Sequence, residues 1–154
     1  MHPKKLTGWL IVLIVWIGVF GFSGGARSLT TIEAAYRPYM VEYPSLRTAI
    51  MVFQLLVGAG VAVWVYAAWV LYRREPGTLA RAQTCLIVGA VLRIAGGYSI
   101  PLFGGFPADA VRTLVNEALP LTFFVLLFTG IWYMYVARSQ KVREIYGGEP
   151  TART

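Results

Sequence analysis

The chain is short of nearly everything that soluble catalysis uses. Only 14% of its 154 residues are charged, against about 25% in an ordinary soluble domain. A single cysteine, Cys85, excludes an internal disulfide and any CxxC redox pair. Near the start of an apolar run, it reads as a small packing residue. A single histidine, His2, leaves bis-histidine haem, a multi-histidine zinc site and Ser-His-Asp hydrolysis without their essential groups. Paired metal-binding carboxylates are lacking, and no nucleophile has a plausible base beside it. Asp109 stands alone in a Gly/Pro-containing connection and reads as a helix cap. No catalytic residue, cofactor or metal site is assigned.

What is present is apolar: 57% of the residues are hydrophobic and the mean hydropathy is +0.61. The hydrophobic residues gather into runs at 6–22, 48–72, 82–100 and 114–137. Each reaches the roughly 17–25 residues that cross a bilayer as a helix. A soluble bundle would need polar outer faces that these runs lack. The roughly ten-residue alternating strands of an outer-membrane barrel do not fit either. The expected fold is all-α: four transmembrane helices in one compact bundle forming a single membrane domain, 1–154.

Basic residues orient it. Lys4, Lys5, Arg73, Arg74, Arg81, Arg138, Lys141, Arg143 and Arg153 flank one set of ends, and Arg27, Arg37, Arg47 and Arg112 the other. The positive-inside rule then puts both termini in the cytoplasm. The expected location is a bacterial inner membrane, crossed several times. The formal charge of +7 reads as topology and as contact with membrane lipids, anionic ones included, rather than nucleic-acid binding. A second reading treats residues 1–22 as a secretory signal cleaved near Ala26, leaving three spans.

Residues 23–47 form the longest connection and are expected outside. Within it Thr30 or Thr31 could cap a short helix ending before Pro38, with Leu29, Ile32 and Tyr36 on one face. Pro44-Ser45 reads as the entry to the second span, and Arg73-Arg74-Glu75-Pro76-Gly77 as a tight turn. Pro101 and 103–107 mark the second outward connection.

Two charges fall at membrane depth, where ionisable groups are costly and point to function. Arg93 lies roughly 10 Å below Ile100, and Glu117 roughly 8 Å below the same surface. Gln54 falls in this layer, with Asn116 and Tyr98 close by. An Arg93–Glu117 pair with Gln54 as donor would keep both charges ionised. Two uses are open. The layer either fixes helix packing or lines an outward-facing cavity for a polar or anionic head group. Pro120 frees the carbonyl of Asn116 and predicts a kink just below. Small residues such as Gly58-Ala59-Gly60, Gly89-Ala90 and Gly96-Gly97 suit close helix contact. Aromatic residues, among them Trp64, Trp69, Tyr72, Trp132, Tyr133 and Tyr135, concentrate toward the cytoplasmic ends. Trp132, Tyr133, Tyr135, Arg138, Lys141 and Arg143 form a membrane-interface anchor leading into a basic cytoplasmic tail, 138–154. If that tail continues the fourth helix, Val142, Ile145 and Tyr146 make a docking or lipid-facing strip.

The opening Lys5-Leu6-Thr7-Gly8-Trp9-Leu10, the segment Tyr43-Pro44-Ser45-Leu46 and the closing Trp132-Tyr133-Met134-Tyr135…Ser139-Gln140-Lys141-Val142-Arg143 together resemble the YdgK-like family of bacterial four-helix inner-membrane proteins. The resemblance extends over roughly positions 5 to 146. It departs from the family pattern where Met134 separates the two tyrosines and where Gln140 follows Ser139. It implies four spans and an inner-membrane location, and it carries no established activity. The expected function is therefore a non-enzymatic accessory, scaffold or regulatory membrane protein, with a membrane-protein partner or a homodimer as its assembly. The alternative is binding or transport of a small molecule or lipid at Arg93 and Glu117.

Overall fold

The computed structural model describes residues 8–73 and 77–146, except for the side chains of Phe20 and Lys141. Every long element is helical: α1 (Gly8–Val15), a π-helical turn (Trp16–Gly21), α2 (Phe22–Tyr36), a 3-10 turn (Arg37–Tyr39), α3 (Leu46–Arg73), α4 (Thr78–Phe103), α5 (Ala108–Arg138) and α6 (Gln140–Ile145). The first four form one rod, Gly8–Tyr39, and with α3, α4 and α5 they make four helices long and apolar enough to cross a membrane. The protein is an all-α, four-span membrane bundle. We call the end bearing the Met40–Ser45 connection the upper end. The end bearing the Gly77 turn and α6 is the lower.

The first helix is longer than the sequence pattern implies. At 32 residues it extends about 48 Å, and only the Met40–Ser45 part of the 23–47 segment lies outside helix or 3-10 turn. Thr30 and Thr31 do not cap a new helix. Their hydroxyls donate back to the carbonyls of Ala26 and Arg27 within a helix already under way. Gly24-Gly25 does not end the first span either, because Gly25 is where Val61 of α3 packs, in space that a side chain at Gly25 would fill. Tertiary contact here outweighs the roughly 1 kcal/mol that glycine costs a helix.

The α3–α4 hairpin is the most extensively packed pair, and it is built on glycine gaps. The Trp64 ring fills the space where Gly89 has no Cβ, and its indole N–H donates to the Leu86 carbonyl at 3.2 Å. One and two turns higher, Gly60 meets the Gly89 carbonyl and the Arg93 stem, and Gly96 receives Val57. Trp64 therefore lies in the core, 4% exposed, and not in the lower aromatic belt. Trp69 and Tyr72 are the exposed belt residues, with the Arg73 guanidinium 4.1 Å from the Trp69 ring centre. Cys85 is half-buried and reduced.

At the upper end Pro101 is buried within α4, which runs on to Phe103. Gly105 turns with φ +79°, open to glycine at little cost, and Ser45 Oγ donates to the Gly104 carbonyl at 2.9 Å. This bond ties the start of α3 to the end of α4. Pro107 precedes α5 without a side-chain cap, and Asp109 falls in the first turn, where its charge suits the helix dipole. It is not the cap. Pro120 lies inside α5, which stays helical from Ala108 to Arg138.

The lower end corrects the reading of the tail. The chain breaks at Ser139 (φ −70°, ψ +113°), whose Oγ accepts from the Val142 amide. The next helix, α6, folds back against the bundle instead of prolonging α5. Val142 is fully buried and Tyr146 nearly so, in one cluster with Leu10, Leu13, Leu71 and Val136. The Tyr146 hydroxyl donates to the Leu71 carbonyl, one of the last-turn carbonyls that a helix leaves without an internal partner. The Arg143 guanidinium donates to the Ala137 carbonyl at 2.7 Å and serves the end of α5 in the same way.

Two outcomes test this packing. Gly89→Ala forces the Trp64 ring to move and should destabilise the detergent-solubilised protein by about 1–3 kcal/mol. Gly97→Ala, with nothing within 4 Å of the added carbon, should leave the thermal midpoint unchanged. Tyr146→Phe should cost about 1–2 kcal/mol by stranding the Leu71 carbonyl. A melting curve identical to wild type would show that α6 is not docked.

Candidate functional site

The first helix and α5 do not pack closely along the upper half of the bundle. They meet lower down through aromatic side chains, Trp9 with Trp132 at 6.5 Å and Trp16 with Phe128 at 5.9 Å between ring centres. Above those rings a seam stays open between the two helices, floored by α3 and α4. Arg93 of α4 faces into it. It stands about 18 Å above Arg81 and about 15 Å below Phe103 along the helix axis.

The local sequence holds Arg93 there. Gly60 leaves room for its aliphatic stem, since a Cβ on Gly60 would lie 2.8 Å from the Arg93 Cγ. Its guanidinium carbon sits 4.8 Å from the Trp64 ring centre. That ring is itself fixed by the Leu86 carbonyl and by Phe128, 5.6 Å away. A desolvated cation over an indole gains about 2 kcal/mol, and the planar guanidinium keeps its donor edge free to face elsewhere.

Two hollows meet at Arg93. One, of about 40 Å³, lies above and is lined by Ser28, Phe53, Gly97 and Thr122 among others. That is space for one or two water molecules. The second, of about 150 Å³, extends down the seam past Gly21, Phe124 and Phe128. Thr122 hydrogen-bonds with the Tyr98 hydroxyl at 3.1 Å and donates to the Ala118 carbonyl at 3.0 Å. The pair joins α4 to α5 beside the upper hollow.

The structure does not bring the five residues read as one polar layer together: Arg93 lies level with Gly60, six residues or about 9 Å below Gln54 on α3, and beside Phe124 and Phe128, well below Glu117 on α5. Among the described residues Arg93 forms no ion pair with Glu117. Glu117 and Asn116 are exposed on α5, and the Glu117 carboxylate instead interacts electrostatically with Tyr36 of α2. Gln54 opens into a separate hollow with Glu33 and Arg47, on the other side of α3. Tyr98 alone stays near Arg93, through Thr122. The proposed pairing with Gln54 as donor is replaced by an arginine stacked on tryptophan. Trp64 was the missed partner. Its spacing of four from Gly60 was a usable signal, because both then project from one face of α3.

The anchor residues also divide. Tyr133 is partly exposed and Arg138 exposed, as an interfacial role requires, whereas Trp132 is buried against Phe128 and Tyr135. Arg143 serves α5 as described. The side chain of Lys141 lies outside the described residues.

A larger hollow, of about 640 Å³, opens at the upper end of the seam between Tyr36, Tyr43, Phe106 and Thr113. Among the described residues no three of His, Cys, Asp and Glu stand together as a metal site would need. No family model, no curated protein and no solved structure matches this chain.

If Arg93 and Glu117 act independently, a double-mutant cycle between Arg93→Gln and Glu117→Gln should give a coupling energy below about 0.5 kcal/mol in thermal or denaturant melts. A coupling above about 2 kcal/mol would restore the ion pair.

Proposed function

We propose that this protein is a non-enzymatic membrane protein that binds an anionic amphiphile in the seam between its first helix and α5. Arg93 is the electrostatic contact. One observation carries the proposal: a membrane-depth arginine with a tryptophan on one face, no carboxylate partner among the described residues, and a hollow before it. An arginine at this depth costs about 2.5–3.5 kcal/mol on insertion scales. Stacking on Trp64 offsets part of that cost, and a carboxylate or phosphate held by the guanidinium fork would offset the rest. The aromatic rings below Arg93 then receive the apolar part of the ligand. Glu117, exposed on α5, stands outside this site.

The accessory-subunit reading keeps one observation in its favour. Only 11% of the most apolar window of α5 is buried within the chain, against 29–39% for the other three spans. A second copy or a partner helix could pack there in place of lipid. We place the protein in a bacterial inner membrane with both termini cytoplasmic, following its basic residues. We also propose kinship with the YdgK-like family. The motifs behind that resemblance occupy working positions: Trp9 against Trp132, Ser45 on Gly104, and Val142 in the lower core.

Native mass spectrometry of protein extracted in mild detergent tests the binding reading. Wild type should carry an anionic lipid or fatty-acid adduct, Arg93→Lys less of it, and Arg93→Gln none while remaining folded. The same adduct on Arg93→Gln, or none on wild type, would sink the idea. A stoichiometric protein partner retained by both would favour the accessory reading.

A further inference from the structure

We infer that the aromatic hollow at the upper end of the seam, between Tyr36, Tyr43, Phe106 and Thr113, is a binding site for an organic cation, an alkylammonium or quaternary ammonium group. The site is distinct from the Arg93 hollows, whose chemistry favours the opposite charge. Its walls come from three separate parts of the chain. Tyr36 and Tyr39 stand at the end of the first helix, Glu42 and Tyr43 on the Met40–Ser45 connection, and Phe106 between α4 and α5. Phe106 is the hub, with the Tyr43 ring centre 4.8 Å away and the Tyr36 ring centre 6.4 Å away.

Aromatic residues at a bilayer surface usually stand apart along helix ends, each at its own interface contact. Here four rings line one concavity, and a carboxylate stands with them. Ring faces carry negative quadrupole density and attract cations, which is how aromatic cages hold quaternary ammonium groups. Glu42 adds a full negative charge at the rim. The Glu42 carboxylate, next to Tyr43, is the main cause that raises the Tyr43 pKa above its ordinary value. Glu117 adds a second carboxylate near Tyr36 from the α5 side. Arg37 and Arg112 are close in sequence to the lining residues but are not part of the lining. The volume of about 640 Å³ falls within the roughly 300–1,000 Å³ of small-molecule clefts. The apolar walls of Ala110 and Leu114 suit the methyl or methylene groups around an ammonium nitrogen. Two sources could supply that group at this height: a lipid head group or a free solute.

The test uses the full chain in maltoside micelles, titrated with choline and with its uncharged isostere 3,3-dimethyl-1-butanol, and followed by saturation-transfer NMR. Choline should bind saturably, and the neutral isostere about tenfold more weakly or not at all. Glu42→Gln and Tyr39→Ala should each weaken choline about three- to tenfold. Both residues are exposed, so the melting temperature should not change and lost binding cannot be ascribed to unfolding. Nanodiscs separate the sources. If the natural ligand is a lipid head group, discs of phosphatidylcholine should abolish choline binding that discs of phosphatidylglycerol preserve. Equal binding in both discs would assign a free solute. No saturable choline binding, equal affinity for the neutral isostere, or indifference to both substitutions would each overturn the inference.

Discussion

The insertion of the Trp64 ring into the gap at Gly89 holds the rest of the structure in place. It lets α3 and α4 approach closely enough for the Gly60 backbone to meet the Gly89 carbonyl. It also satisfies the indole N–H on a carbonyl of the neighbouring helix, which matters where no water competes. Inside a bilayer the hydrophobic effect does not drive helices together, so close van der Waals fit and such bonds must do so. The same ring then gives Arg93 a surface to lie on. Packing and site are thus one arrangement: the residue that joins the two central helices also allows a charge to stand at membrane depth.

The seam follows from what surrounds that pair. The first helix packs on α3 through Gly25 and Val61, and α5 packs chiefly on α4. Among the described residues, tryptophan and phenylalanine side chains bridge the two flanking helices, Trp9 to Trp132 and Trp16 to Phe128. Below, α6 closes the bundle with Val142 and Tyr146. Above, the gap remains and widens into the aromatic hollow. A bundle closed at one end and open at the other presents its polar chemistry on one side. The two candidate sites lie at different heights of the same opening, with opposite charge preference.

Much of this was legible beforehand, and particular residues show why the rest was not. Apolar run length announced four spans, because every backbone group must find an internal partner in lipid and a helix supplies it locally. Pro44-Ser45 correctly marked the entry to α3. The first helix was read as ending near Phe22, since Gly24-Gly25 resembles a stop until Val61 is seen packed on it. The tail was read as a surface strip, since Val142 and Tyr146 share an apolar face whether it meets lipid or the bundle. The turn at Ser139 decides between those two, and it carries no strong signal of its own.

Arg93 shows the division most clearly. Its depth could be counted along α4, because rise per residue is a constant of the helix. Glu117 and Gln54 were placed at the same height by the same count. Arg93 meets neither, because the offset of each helix along its neighbour and its rotation about its own axis decide which residues come together. Glycine gaps and ring shapes across interfaces set that rotation. The sequence by itself determined the number of spans and the position of each charge along its own helix. Only the tertiary structure decided that Arg93 lies on Trp64, that Glu117 stands exposed on α5 away from it, and that an open seam runs between the first helix and α5.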